Sequence, residues 1–136
     1  MPRRTTNNKQ QVRNAIVNAM RNWSELDAEA NREYYTSSNR AVFFDFTPMQ
    51  YVGWKTYIGE IKKVQRSIRT FKITLNDDLK VIVDGNMAFA HGTWRMKFAF
   101  TDGSRRNLAG RLTEVLVKRK GRWIIVHEHA SVPTPD

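Results

Sequence analysis

At 136 residues the chain is long enough for one domain with a real core and too short for two ordinary ones. Its 40% apolar and 26% charged residues describe a globular chain rather than a disordered one, and no apolar run approaches the roughly 20 residues of a membrane helix. The absence of cysteine excludes disulfides, thiolate metal sites and thiol catalysis, while a net charge of +10 raises nucleic acid, an anionic membrane or an acidic partner as questions.

Residues 1–8 are polar and Arg-rich and are expected to form a disordered basic arm ahead of a single domain over 9–133. No apolar stretch follows Arg3 and Arg4, so no secretory signal is expected and cytoplasm is the default compartment. Val12, Ala15, Ile16, Ala19, Met20 and Trp23 then fall on one helical stripe. Ser24 or Asp27 can cap a second helix whose inward side is Leu26, Ala30 and Tyr34. Residues 41–46 are β-rich and stop at Pro48, which suits a strand at a sheet margin. Gly53 ends a returning strand, and Trp54, Tyr57, Ile58, Ile61 and Val64 make 54–66 an amphipathic third helix.

From there the chain reads as strand: 69–75, 79–84, 87–100 and a closing hairpin over 111–118 and 122–131 across a Lys120-Gly121 turn. Helices first and a long meander after them predict an α+β fold, three N-terminal helices packed on a strongly curved, mostly antiparallel sheet. Such a sheet makes a cone with a cavity at its mouth. The cations are spread over helices and turns (Arg13, Arg21, Lys62, Lys63, Arg66, Arg105, Arg106, Lys118 to Lys120, Arg122) with no aromatic–basic interleaving. Neither nucleic acid nor a membrane is therefore the expected partner.

Alternation sorts the strand side chains into faces. Trp94, Met96, Phe98 and Phe100 share the core side of their strand, with Arg95 and Lys97 opposite. In the hairpin, Leu112 and Leu116 with Ile124 and Val126 would face the core, which carries Glu114 and Glu128 inward with them. Trp123, Ile125, His127 and His129, with Val115 and Val117, would form the outer face, more apolar than a monomer usually exposes, and so a homodimer interface. A carboxyl kept from water has its charged form disfavoured and its pKa raised, which turns it into a general acid or base. Glu114 and Glu128 are candidates, and so is Asp45, whose neighbours are Phe43, Phe44 and Phe46. The alternative for each is a salt bridge with an arginine or a wet strand end. Two histidines without a third ligand leave His127 and His129 an incomplete metal site, so no metal is expected.

Arg111-x-Thr113, Gly121-x-Trp123 and Val126-His127-x-His129-x-Ser131 resemble the closing strands of the SnoaL-like families. These belong to the nuclear transport factor 2-like superfamily, and the run is similar to the association domain of calcium/calmodulin-dependent protein kinase II. The resemblance covers roughly residues 10–133 and implies the same cone fold, an outer sheet face packed on a partner subunit, and no cofactor. It also implies that Ala41-Val-Phe-Phe-Asp45 is similar to the segment of ketosteroid isomerases ending in their proton-shuttling aspartate. Their donor tyrosine has no counterpart, since Ile16 to Ala19 offer no hydroxyl. At the pocket arginine positions of the kinase association domain stand Glu114 and Ala130, so that anion site is not expected.

The expected function is acid–base chemistry (isomerase, cyclase, dehydratase or hydrolase type) on a small, largely apolar or carbonyl-containing molecule. Asp45 would be the base, Glu114 and Glu128 secondary acids, and Trp23, Tyr34, Trp54, Tyr57, Trp94 and Met96 the substrate walls. The alternative is a non-catalytic binding or oligomerisation module. Carboxylates buried without a basic partner favour the enzyme; carboxylates tied to Arg95 or Arg111, or a filled cavity, favour the module.

Overall fold

A computed structural model describes residues 7–135. Helix α1 (Asn8–Ser24) starts where the Asn7 side chain accepts a hydrogen bond from Gln10 N at 2.8 Å, satisfying one of the free amides of a helix start. Its buried stripe is the one the spacing predicts: Val12, Ala15, Ile16, Ala19, Met20 and Trp23. The arm expected over 1–8 falls largely outside the described residues, and Asn7 and Asn8 belong to this helix start.

The second expected helix is a short 3-10 helix, Glu29–Glu33, so the described residues hold two α-helices rather than three. Its buried residues also differ from the expected set. Ala28, Asn31 and Tyr35 are the buried ones, while Leu26, Ala30 and Tyr34 are half-buried. Asn31 is held by Ala19 O and Asn22 Nδ2, and the chain then leaves helical geometry at Tyr34. There it forms a parallel bridge to Ile125, through Ile125 N to Tyr34 O and Thr36 N to Ile125 O. Once the backbone is extended, successive side chains point to opposite sides, and Tyr35 takes the inside.

Strands β1 (Val42–Phe44) and β2 (Tyr51–Val52) precede helix α2 (Trp54–Gln65). Gly53 at the junction has φ 88°, and a Cβ there would sit 3.0 Å from Asn39 O, so both conformation and space require glycine. Then come β3 (Ile68–Leu75), β4 (Lys80–Asp84), β5 (Met87–Phe100), β6 (Arg105–Arg119) and β7 (Arg122–Ser131). The sheet runs β2-β1-β7-β6-β5-β3, with β4 also on β5. Among the described strands only β1 and β7 pair in parallel. Helix α1 lies across the inner side of β3, β4 and β7, and the core closes between them. No described helix is long and apolar enough to cross a membrane.

One irregularity corrects the expected faces. Between β6 and β7 the register slips: Val115 pairs with His127, but Leu116 pairs with Ile125, which leaves Val126 as an extra residue. A β-bulge of this kind shifts the alternation by one. Trp123 and Ile125 therefore point into the core beside Leu116, and Ile124 and Val126 are the half-buried ones. Beyond the bulge the phase agrees with expectation, with Glu128 and Ala130 inward. The outer face consequently lacks Trp123 and Ile125. It keeps Val115, Val117 and His127, half-buried, and the exposed His129, with Phe44 edge-on to both imidazoles.

Candidate active site

The parallel pairing of β1 with β7 sets Phe43 beside Glu128, so the next residues of the chain arrive at the open end of the cone. Phe43 is fully buried and stacks on Tyr57 with ring centres 4.7 Å apart. Tyr57 is on the inward stripe of α2 with Trp54 and Ile58, three and four residues apart as a helix face demands. Asp45, half-buried just after β1, turns toward the same space.

These placements bring four polar side chains into contact. Tyr35 donates its hydroxyl to Glu128 Oε1 at 2.5 Å, and Tyr57 donates to Glu128 Oε2 at 3.2 Å. The Tyr35 oxygen in turn accepts from Trp23 Nε1 at 3.0 Å. Tyr57 also lies 3.5 Å from Asp45 Oδ2, and Asp45 Oδ1 accepts from Phe46 N at 2.8 Å. One phenolic proton cannot fully serve two carboxylates. When Asp45 is ionised it competes with Glu128 for the Tyr57 hydroxyl; when protonated it can donate to the Tyr57 oxygen instead.

Glu114 is the direct cross-strand partner of Glu128 and is fully buried, and no donor among the described residues reaches either of its oxygens. Burial pushes its carboxyl well up, the charge of Glu128 pushes the same way, and a proton kept on Glu114 can be shared with Glu128. Glu128 already accepts two phenol hydrogen bonds, so the proton of the pair rests on Glu114. Asp45 is raised from 3.8 to about 6, first by loss of water and then by the Glu128 carboxylate. Tyr35 and Tyr57 are held as neutral phenols, pushed well up by burial and by the acids around them. Among the described residues none of these acids is paired with a lysine or arginine; the described ion pairs involve Glu29, Glu33 and Glu60 at the surface. Arg111 instead donates to Ser131 Oγ at 2.9 Å.

The acids meet a cavity of about 180 Å³. Its walls come from Met20, Trp23 and Leu26 on the α1 side, Tyr57, Ile61 and Val64 on α2, Trp94, Met96 and Phe98 on β5, and Leu112 on β6. Asp45 and Glu128 line it; Glu114 lies behind the wall. Of the expected wall residues, Trp23, Tyr57, Trp94 and Met96 face the cavity. Tyr34 and Trp54 do not: Tyr34 is carried out by the bridge to β7, and Trp54 is buried against Tyr35 with ring centres 5.0 Å apart. Sequence reasoning missed Tyr35, together with Phe46 and Tyr51 on the wall. The adjacent Tyr34-Tyr35 pair was a signal that one hydroxyl must be inside, but not which. No group of three or more His, Cys, Asp or Glu able to hold a metal occurs among the described residues.

Trp94 keeps its place because its cross-strand partner is Gly110. A Cβ on Gly110 would stand 2.4 Å from Trp94 Cζ2 and 2.3 Å from Ser131 O. The cavity wall is thus built on one glycine.

Solved structures share this architecture. A nuclear transport factor 2-like superfamily protein from Salmonella enterica is 21% identical, with a TM-score of 0.86 over 93% of this chain and 92% of that one. A candidate dehydratase of the same family from Streptomyces avermitilis is 14% identical, with a TM-score of 0.81 over 93% and 97%. A candidate calcium/calmodulin-dependent protein kinase II association domain from Xanthomonas campestris is 15% identical, with a TM-score of 0.78 over 96% and 91%. At these identities the likeness is one of fold. No curated protein matches the chain. The fold is that of nuclear transport factor 2-like proteins; residues 12–135, from the buried stripe of α1 to the end of the sheet, match the sequence model of the SnoaL-like domain, and the chain belongs to that family.

Proposed function

We propose that the cone holds a small, largely apolar molecule and that Asp45 moves a proton on it. The observation that carries this is a half-buried carboxyl on an apolar cavity wall, raised to about 6 by burial and by Glu128, with no cation beside it among the described residues. A base with a pKa just below neutrality is ionised at pH 7 and can return the proton it takes. Tyr57, between Asp45 and Glu128, adjusts its hydrogen bond as Asp45 changes state, and Glu114 behind them keeps a proton in reserve. Isomerisation, cyclisation and dehydration all need such a shuttle, and a neighbour described as a candidate dehydratase supports that range. Buried acids without basic partners and an unfilled cavity favour this reading over a binding module.

The test uses 5-nitrobenzisoxazole, a neutral aromatic probe whose ring opens when a base removes its C–H proton. The protein is expected to accelerate opening, with a rate that rises with pH through a midpoint near 6. Asp45→Asn should remove about 100-fold of that rate. The groups facing Asp45 are Glu128, Tyr57 and Tyr51. A variant as fast as the parent protein would sink the proposal.

A second reading concerns assembly. The outer face of β7 keeps Phe44, His127 and His129 with half-buried Val115 and Val117, and an association-domain neighbour shares the fold. We assign this strip as a homodimer face. A monomeric mass by light scattering at micromolar concentration would remove it.

A further inference from the structure

The cavity is acidic and aromatic inside a strongly basic chain, and that contrast identifies the kind of molecule it suits. Asp45 and Glu128 reach it from β1 and β7, and no lysine, arginine or histidine among the described residues lines it. Glu114, fully buried on the same face as Glu128, has neither oxygen satisfied. Aromatic rings stand around the carboxylates: Phe46 and Trp94 with centres 5.5 Å apart, Tyr51 and Tyr57 at 5.1 Å, and Trp23 and Tyr57 at 6.1 Å.

The hydrogen-bond donors on the same walls are already engaged. Tyr57 serves Glu128 and Asp45, Tyr51 donates to Thr47 O at 2.9 Å, and Trp23 donates to Tyr35. The Trp94 indole nitrogen is buried without a partner and sealed from the cavity. What remains for an incoming oxyanion is the Thr47 hydroxyl and the Gln65 amide. An anion therefore meets two carboxylates and few donors, whereas a cation meets acceptors and aromatic faces, the two environments that stabilise an ammonium away from water.

We propose that the ligand of this cavity is a small apolar molecule carrying a protonated amine, its ammonium held between Asp45 and Glu128 and its apolar body against Trp23, Trp94 and Met96. This rests on the cavity being the site of proton transfer and adds the charge of what enters it. The cation would also neutralise the repulsion between Asp45 and Glu128, so a molecule of this class is recognised by the same groups that act on it. The net charge of +10 opposes entry only at long range, where salt screens it.

The experiment compares three probes of nearly one shape at pH 7.5 and 150 mM salt: 2-phenylethylamine, 2-phenylethanol and phenylacetate. Binding is followed by the indole N–H signals of Trp23 and Trp94 in NMR spectra of the full chain. The amine is expected to bind about tenfold or more tighter than the alcohol, and phenylacetate weakest. Asp45→Asn should cut the amine-to-alcohol ratio several-fold. Equal binding of amine and alcohol, preference for phenylacetate, or no movement of either indole signal with any probe would overturn the inference. If the alcohol binds in the cavity without any charge preference while the benzisoxazole reaction still depends on Asp45, the amine is wrong and the proton-transfer reading stands. If the reaction ignores Asp45 but the amine is preferred, the reverse holds.

Discussion

The two faces of β5 and β6 are built from alternate residues of the same strands and treat charge in opposite ways. Outside, Arg95, Lys97, Arg105 and Arg111 project from neighbouring positions into water, and none forms an ion pair among the described residues. Inside, Trp94, Met96, Leu112 and Glu114 are all buried, and one lone carboxyl is deprived of any partner except another acid. Cations in water cost the fold little, so their number says little about function. An acid held from water without a counterion costs stability, and such a cost marks a site.

The sharpest way to break the contrast is to disturb the inner wall. Gly110→Ala would drive a methyl into Trp94 and Ser131 O. It should cost about 3 kcal/mol or more, since backbone limits how far the strands can yield. Urea unfolding gives the number, and a loss below about 1 kcal/mol would mean that Trp94 is not seated on the glycine.

Asp45→Asn tests whether the inner acid is costly. The folded carboxyl is raised from 3.8 to about 6, so the unfolded chain releases this proton first. The contribution to stability is whole below about 3.8 and declines as pH rises to about 6. At about 1.4 kcal/mol per unit, discounted for the half-exposed position, the variant should be more stable than the parent by about 1–2 kcal/mol at pH 7.5. At pH 4 the two should nearly coincide. Melting at both pH values decides; a variant destabilised at pH 7.5 would make Asp45 a structural residue.

Tyr35→Phe removes one of the two phenols on Glu128. A buried hydrogen bond to a charged acceptor is worth about 1.5–3 kcal/mol, softened here because Tyr57 remains. We expect a loss of about 1–2 kcal/mol in urea unfolding and an upward shift of the benzisoxazole midpoint, as Tyr57 turns from Asp45 to Glu128. A midpoint that stays still would separate Tyr35 from the proton network.

The smallest effect should come from the outer face. Lys97→Ala should leave stability within about 0.5 kcal/mol, the benzisoxazole rate unchanged and the midpoint near 6. A larger change would mean that the outer cations set the potential inside the cone.

Most of the fold was legible because periodicity is local. The α1 stripe, the start of α2 at Trp54, the full span of β5 and both ends of β7 follow from which residues repeat at 3.6 and which at 2. The same alternation carried Glu114 and Glu128 inward. It failed at Val126, where a bulge adds one residue without any glycine or proline to announce it, and it carried Trp123 and Ile125 to the wrong face. It failed again after the 3-10 helix, where choosing Tyr34 over Tyr35 required the pairing with Ile125, a strand some ninety residues further on.

The sequence by itself determined the α+β cone, the inward placement of Glu114 and Glu128, and the aromatic neighbours of Asp45. Patterning decides such things because burial acts on each residue according to its type and its phase. Only the tertiary structure decided that Tyr35 and Tyr57 both serve Glu128, that Asp45 and Glu128 line the cavity while Glu114 lies sealed behind them, and that no cation among the described residues joins them. Hydrogen bonds and desolvation depend on distances of a few ångströms between strands far apart in the chain, and no local pattern carries that information.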